Sequence, residues 1–194
     1  MKIIRKEPFD KNKIPLKVCR VESKAWHDLG FYKHHYMSHE LSKSAKCFLF
    51  TWDDRPVGFV ALLNQPHKGG NKYDHRISRI VVDPQYQGLG FSSRMLCFIG
   101  GLVKSLDENA NLYIKTVHTK MGKYLENSSK WEATCFNGKE RKAKDSKYNN
   151  RLTRKSYCYK YVGESNTGYE QMLSTPISEL RSLSKKDKDN EPNS

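Results

Sequence analysis

The sequence has few cysteines, no long apolar run and few acidic residues for its number of basic ones. Its five cysteines are scattered through 194 residues and never form a Cys-x-x-Cys pair. That argues against a disulfide framework or a cysteine zinc site, and it favours a reducing compartment such as the cytoplasm. No stretch approaches the roughly 18 apolar residues of a membrane span, and the N-terminal residues lack the apolar core of a signal peptide. We therefore expect a cytoplasmic protein without a membrane partner.

The shortage of acidic residues leaves a strongly positive chain. Lysine and arginine number 35 against 21 aspartates and glutamates, a formal net charge of +14. Such a charge attracts polyanions, among them coenzyme A and nucleic acids, although a lysine-rich composition that serves only solubility explains it equally well. The charge therefore indicates a polyanionic partner without naming it.

One segment concentrates this charge. Residues 139–160 hold nine basic and two acidic residues, with tyrosines between them. Basic side chains interleaved with aromatic rings suit contacts to phosphates and stacked bases, and a solvated loop is the alternative. The predicted nucleic-acid contacts are Lys142, Lys144, Arg151 and Arg154.

The apolar pattern predicts one α/β domain with a mixed, mostly antiparallel sheet and flanking helices. Strands are predicted at residues 15–22, 45–52, 57–63, 75–83, 112–117, 131–136 and 157–162. Helices are predicted within residues 25–41 and at residues 91–106 and 118–128. The domain is expected to cover residues 1–163, and residues 164–194 form a polar tail that is expected to be partly disordered.

A glycine turn lies between the fourth predicted strand and the long helix. The strand ends in Val-Val-Asp-Pro at residues 81–84, and Gln-Gly-Leu-Gly follows at residues 87–90. Glycines let the backbone turn sharply and approach a ligand closely. The free N–H groups of the turn and of the helix start, together with the helix dipole, form an anion site. A pyrophosphate suits such a site.

Three kinds of phosphate loop could explain this turn. A Rossmann fingerprint needs a third glycine, but the sequence from Gly88 reads G-L-G-F-S-S, and no βαβ unit precedes it. A Walker A loop needs Gly-Lys-Ser/Thr, which is absent. The third pattern is Gln/Arg-x-x-Gly-x-Gly/Ala, in which Gln87, Gly90 and Ser92 take the marked places, with Ser92 as a departure. In this respect, and in element order over residues 17–162, the chain resembles the GNAT acetyltransferases.

The resemblance implies a GNAT fold with splayed central strands and an acyl-CoA cofactor, most simply acetyl-CoA. The strand end, Ile80, Val81 and Val82, would hydrogen-bond the pantetheine arm, and the thioester would enter the splay between Val82 and residues 112–117. The turn and helix start would hold the pyrophosphate. Those residues are Gln87, Gly88, Leu89, Gly90, Phe91, Ser92 and Ser93.

Catalytic residues are harder to assign. Many GNAT enzymes place a glutamate on the central strand as a base, but here the neighbourhood reads His75-Arg76, and Asp74 is the nearest carboxylate. His75 is a candidate base because an imidazole titrates near neutrality, and a structural histidine is the alternative. Tyr124 and His118 are the candidate acids, with a buried structural tyrosine as the alternative for Tyr124.

A second resemblance concerns the segment His-His-Tyr-Met-Ser at residues 34–38. This element and residues 116–131 look like the Mom-like branch of the superfamily, which includes phage proteins that modify adenine in DNA and acyltransferase domains attached to ABC-type ATPases. The likeness implies that this element lines the acceptor side and adds two catalytic candidates, His35 and Tyr36. The residues placed there are His34, His35, Tyr36 and Ser38. A metal site at His34, His35 and His39 is not expected, since adjacent side chains point apart.

Two functions of different classes follow. The first is an acyl-CoA-dependent N-acyltransferase whose acceptor is an amine on DNA, RNA, a small molecule or a protein lysine. The second is a non-catalytic module that binds CoA or nucleic acid, which the missing strand glutamate supports. The sequence leaves the oligomeric state open, with a homodimer as one candidate.

Overall fold

The computed structural model describes residues 14–35, 40–65, 69–141 and 154–174. The strands are β1 Lys17–Val21, β2 Lys46–Trp52, β3 Arg55–Asn64, β4 His75–Val82, β5 Leu112–Thr116, β6 Trp131–Ala133, β7 Glu140–Arg141, β8 Arg154–Lys155 and β9 Tyr157–Tyr161. The helices are α1 Ala25–Asp28, α2 Phe91–Leu106, α3 Thr119–Asn127 and α4 Gln171–Ser174, with 3-10 turns at Phe31–His34 and Pro84–Tyr86. No helix in these ranges combines the length and apolar character needed to cross a bilayer.

Seven strands form one sheet in the order β1-β2-β3-β4-β5-β9-β6, and β7 and β8 form a separate small pair. Every neighbouring pair in the large sheet is antiparallel except β4 and β5. The β2–β3 hairpin turns at Asp53 and Asp54, whose φ angles are 50° and 55°. Two successive positive φ angles are typical of a type I′ turn, whose twist matches that of the strands. The prediction of a mixed, mostly antiparallel sheet with flanking helices is confirmed.

Each face of the sheet has its own apolar cluster. Helix α2 covers one face and supplies six buried residues of the larger cluster, while α1 and the following 3-10 turn pack on the other face around Trp26, Phe31 and Phe59. A Cβ atom on Gly100 would lie 2.4 Å from the ring of Tyr161. Gly100 therefore allows the helix to approach β9 more closely than any side chain would permit.

The packed structure continues beyond the predicted domain boundary at residue 163. The Asn166 amide N–H donates to the Gly101 carbonyl at 2.9 Å, and its side-chain Nδ2 donates to the Phe98 carbonyl at 3.1 Å. Leu173 is buried in the larger core cluster. The polar composition of this segment gave no sign of these contacts. Residues 175–194 lie outside the described residues, so the disordered tail stays a prediction.

The two parallel strands at the centre diverge. β4 and β5 pair at only two positions, His75 with Leu112 and Arg76 with Tyr113. Directly after them, β4 carries a bulge at Ser78 where its register against β3 shifts. A bulge bends its strand and increases the local twist. Beyond it, the carboxyl-terminal halves of β4 and β5 form the two sides of a cleft.

Candidate active site

The cleft between β4 and β5 encloses a cavity of about 380 Å³. One wall is the second half of β4, the glycine turn and the start of α2, and the other wall is β5 and α3. The bulge directs Ser78 to the lining. Of the predicted cofactor residues, the structure places these at the cavity: Ile80, Val81, Val82, Gln87, Gly88, Gly90, Phe91 and Ser92. Leu89 and Ser93 belong to the same turn but do not line it.

The glycine turn has the geometry of an anion site. Gly88 and Gly90 have φ angles of 83° and 77°, in the left-handed region that favours glycine, and Gly90 caps α2. The Ser93 hydroxyl donates to the Gly90 carbonyl at 2.7 Å and fixes the first turn. The first amides of a helix have no acceptor within it, so their N–H groups and the positive dipole end are available to an anion.

Three aromatic rings pack together beside this turn. The ring centroid of Trp52 lies 6.0 Å from that of Tyr86 and 6.0 Å from that of Phe91, and the last two are 6.5 Å apart. In addition, the Gln87 side-chain amide donates to the Val82 carbonyl at 3.2 Å, and this hydrogen bond links the turn to the end of β4. The backbone of the turn is thus held by packing and by hydrogen bonds before any ligand arrives.

Tyr124 lies on the opposite wall. Its side chain on α3 faces the cavity, and its hydroxyl oxygen is 3.4 Å from the Cys97 sulfur. Burial and the contact with Cys97 raise the pKa of Tyr124 to about 12. Helix α3 packs closely on β9, because a Cβ atom on Gly122 would lie 2.4 Å from the Tyr157 ring. Glu126, on the same helix, is exposed. Tyr124 therefore stays protonated at neutral pH and can donate a proton into the cleft.

His118 caps α3 and also lines the cavity. Its Nδ1 accepts a hydrogen bond from the Met121 amide at 3.3 Å, and its own amide donates to Thr116 Oγ1 at 3.0 Å. Because Nδ1 acts as the acceptor, the neutral ring carries its proton on Nε2. His118 can therefore donate a hydrogen bond from Nε2, whereas accepting a proton on Nδ1 would cost the helix its cap.

Two further histidines lie on the β4 side of the cavity. His34 is exposed, whereas the ring of His35 meets the edge of Trp26 with centroids 5.9 Å apart. Burial, with a smaller effect of the Arg79 guanidinium, lowers the pKa of His35 to about 4. Within the described ranges, no three His, Cys, Asp or Glu side chains come together as a metal site. Three predicted residues of this element, Tyr36, Ser38 and His39, lie outside the described residues.

His75 is not at the cavity. It is 1% exposed, its Nδ1 bonds the Tyr73 carbonyl, and its Nε2 lies 3.2 Å from Lys46 Nζ. Burial and the Lys46 charge lower the pKa of His75 to about 4. Asp74 is equally buried and accepts from the Asn111 amide at 2.7 Å. The candidate base and the nearest carboxylate thus hold the start of β4 in place, which argues against a catalytic role for either.

Two lysines that border the cavity were not identified from the sequence. Lys115 projects from β5 and Lys120 from the first turn of α3, and both are exposed where they border the cleft. The only signal for Lys120 in the sequence was its place in the first turn of α3, close to the residue that caps this helix. Of the predicted nucleic-acid contacts, Lys142, Lys144 and Arg151 lie outside the described residues, as does the side chain of Arg154.

Comparison with known proteins agrees with this geometry. The acetyltransferase (GNAT) family model matches residues 15–99, which include β1 to β4, the glycine turn and the first half of α2. No protein with a curated function matches the sequence significantly.

Solved structures share this fold over 75–79% of the chain. The ribosomal-protein-S18-alanine N-acetyltransferase from Escherichia coli aligns with a TM-score of 0.54 and 13% identity, covering 79% of this chain and 98% of that one. A putative GNAT acetyltransferase from Desulfovibrio desulfuricans gives 0.54 and 14%, covering 75% and 98%. A chimera of the Vibrio cholerae spermidine N-acetyltransferase and hSSAT gives 0.55 and 11%, covering 76% and 95%. The chain is thus similar to the GNAT acetyltransferases in the sequence of residues 15–99 and in its fold.

Proposed function

We propose that the protein transfers an acyl group, in the simplest case acetyl, from acyl-CoA to an amine. The observation that carries the proposal is the cleft itself, which ends at a turn of backbone amides and faces a protonated tyrosine. The pyrophosphate of CoA would sit on the amides of residues 88–92. The pantetheine arm would lie along Ile80, Val81 and Val82, because that half of β4 does not pair with β5.

The chemistry needs little covalent help from the protein. The amine nitrogen attacks the thioester carbonyl, a C–N bond forms, and the C–S bond breaks. Tyr124 would give its hydroxyl proton to the departing sulfur, so that CoA leaves as a thiol. The nitrogen loses one proton after attack, and Tyr124 regains one from water. His118 Nε2–H is placed to donate a hydrogen bond within the same cavity.

Calorimetric titration with acetyl-CoA tests whether the protein binds this cofactor at the proposed site. Ser92→Glu puts a carboxylate into the proposed pyrophosphate site, and an acidic residue in the first turn does not harm the helix. We expect the Kd for acetyl-CoA to rise by about tenfold or more. Ser129→Glu is the matched control, because Ser129 is exposed and away from the cavity, and its Kd should equal that of the wild type. Equal affinities for the two variants would contradict the placement of the pyrophosphate.

Thiol release from acetyl-CoA in the presence of candidate acceptors tests whether the protein transfers the acyl group. Formation of an acetylated amine, identified by mass spectrometry, is the expected result. Binding of acetyl-CoA without transfer to any amine would favour the alternative, a non-catalytic CoA-binding module. Failure to bind acetyl-CoA would contradict both functions.

A finer part of the proposal is that the amine belongs to a nucleic acid, as in the Mom-like branch. The net charge of +14 and the basic residues 139–160 support it. If this segment contacts DNA or RNA, the logarithm of the binding constant falls linearly with the logarithm of the salt concentration. Neutralising Lys142, Lys144, Arg151 and Arg154 should then flatten the slope. An unchanged slope would exclude these side chains as phosphate contacts.

A further inference from the structure

The charged side chains that the structure describes at the cleft are all of one sign. Among the residues that the structure describes, the titratable side chains at the cavity are three histidines, two lysines and two tyrosines, with no aspartate or glutamate. An alkylammonium ion that entered would meet Lys115 and Lys120 and would find no carboxylate as counter-ion. Like charges at close range disfavour the charged form of a bound group. The described lining of the cleft therefore supplies no protein counter-ion for a cationic acceptor.

The same cleft has little that could remove a proton from an ammonium ion. His75 and Asp74 are buried at the other end of β4, away from the cavity. His118 uses Nδ1 to cap α3, and Tyr124 keeps its own proton. The ring of His35 is held neutral by burial, which lowers its pKa to about 4, and so it is a weak base.

Among the described residues His34 is the remaining candidate, and it stands exposed at the rim on the β4 side. An alkylamine with a pKa near 10 leaves fewer than about one molecule in a thousand uncharged at pH 7. Without a counter-ion or a well-placed base, the site would have to rely on that small fraction. An amine that is already uncharged needs neither, because it loses its proton only after the C–N bond has formed.

From this lining we infer that the acceptor is a weakly basic amine, uncharged at neutral pH, on a molecule whose anionic group is recognised by Lys115 and Lys120. Aromatic amines are the chemical class that fits. Their nitrogen lone pair attacks without prior deprotonation, and the proton then leaves the acylated nitrogen for water or for His34 at the rim. The inference rests on the proposed acyl transfer and narrows its acceptor.

Four small probes separate the two parts of the inference. 4-Aminobenzoate carries an aromatic amine and a carboxylate, aniline lacks the carboxylate, 4-(aminomethyl)benzoate carries an alkylamine instead, and benzylamine has the alkylamine alone. Turnover is followed by thiol release, and the product is identified by mass spectrometry. At pH 7 we expect kcat/KM to be about 100-fold higher for 4-aminobenzoate than for 4-(aminomethyl)benzoate. We also expect it to be at least about fivefold higher than for aniline.

Charge reversal in the lining tests the role of the lysines. Lys115→Glu and Lys120→Glu should each reduce the ratio of kcat/KM for 4-aminobenzoate over aniline towards one. Lys123→Glu is the matched control, because Lys123 is exposed on the same helix as Lys120 and does not border the cavity. The Kd for acetyl-CoA, measured for each variant, separates an effect on the acceptor from one on the cofactor.

The outcomes distinguish this inference from the proposed function. Acetylation of the two alkylamines in preference to the aromatic amines would overturn the inference and leave acyl transfer intact. Unchanged acceptor ratios in both cavity lysine variants would overturn the anionic part. Acetyl-CoA binding without turnover of any probe would also overturn the inference, whereas failure to bind acetyl-CoA would remove the proposed function beneath it.

Discussion

The two walls of the cleft are built on different principles. The β4 wall presents backbone: the end of a strand, two glycines with positive φ angles and the first amides of α2. The wall of β5 and α3 presents side chains, among them His118 and Tyr124. A backbone site depends on the conformation of the chain and tolerates changes in side chains, whereas a side-chain site depends on which residue faces inward. The β4 wall should therefore govern affinity for the cofactor, and the α3 wall should govern the rate of the reaction.

The largest effect is expected on the α3 wall. Tyr124→Phe removes the hydroxyl but keeps the ring that packs against the core, so the fold and the Kd for acetyl-CoA should stay within about twofold. Loss of a general acid should lower kcat by about 100-fold to 1000-fold. Steady-state kinetics with any acceptor that turns over provides the measurement. Tyr113→Phe is the control, since Tyr113 lies on β5 outside the cavity lining. Equal kcat values for the two variants would show that the proton comes from elsewhere.

The same contrast explains what could be predicted from the sequence. Glycines and Pro84 impose backbone conformations that are local, so the strand, turn and helix around residues 81–106 could be identified from spacing alone. The inward face of α3 depends on how that helix packs on β9, and there the structure turns Tyr124 inward and Glu126 outward. The sequence alone did not fix this orientation, because it depends on how α3 is rotated against β9.

The position of His75 could not be predicted for a related reason. Side chains alternate along a strand, but the bulge at Ser78 shifts this alternation partway through β4. Bulges arise from pairing with another strand, which no local pattern records. The sequence therefore placed a histidine on the correct strand but could not say that it is buried beside Lys46, away from the cleft.

A second prediction distinguishes a structural role of His75 from a catalytic one. Its folded-state pKa of about 4 lies below the unfolded value of 6.5, so below pH 6.5 the unfolded state binds a proton that the folded state does not. Stability should therefore fall as the pH drops from 6.5 to about 4, by up to about 3 kcal/mol from this group. His75→Gln should remove this share of the slope, leave the share of His35, whose pKa is also lowered to about 4, and leave kcat unchanged.

Urea unfolding at a series of pH values measures this difference. His27→Gln is the control, because His27 is exposed and its removal should leave the slope as it is in the wild type. A slope in His75→Gln as steep as that of the wild type would assign the pH dependence to other groups. A fall in kcat of about 100-fold in that variant would return His75 to the catalytic site, against its position in the structure.

The smallest effect is expected at His118, which caps α3 through Nδ1 and can donate a hydrogen bond into the cavity from Nε2. His118→Ala removes the acceptor for the Met121 amide and should destabilise the protein by about 1 kcal/mol. His118→Asn replaces it with a residue that caps helices well, so its unfolding free energy should match the wild type, although the Nε2–H donor is gone. Any loss of kcat shared equally by the two variants then belongs to the missing donor and not to the cap. Equal stabilities for the alanine and asparagine variants would show that the cap contributes nothing, and Nδ1 would then be free to accept a proton from the acceptor amine.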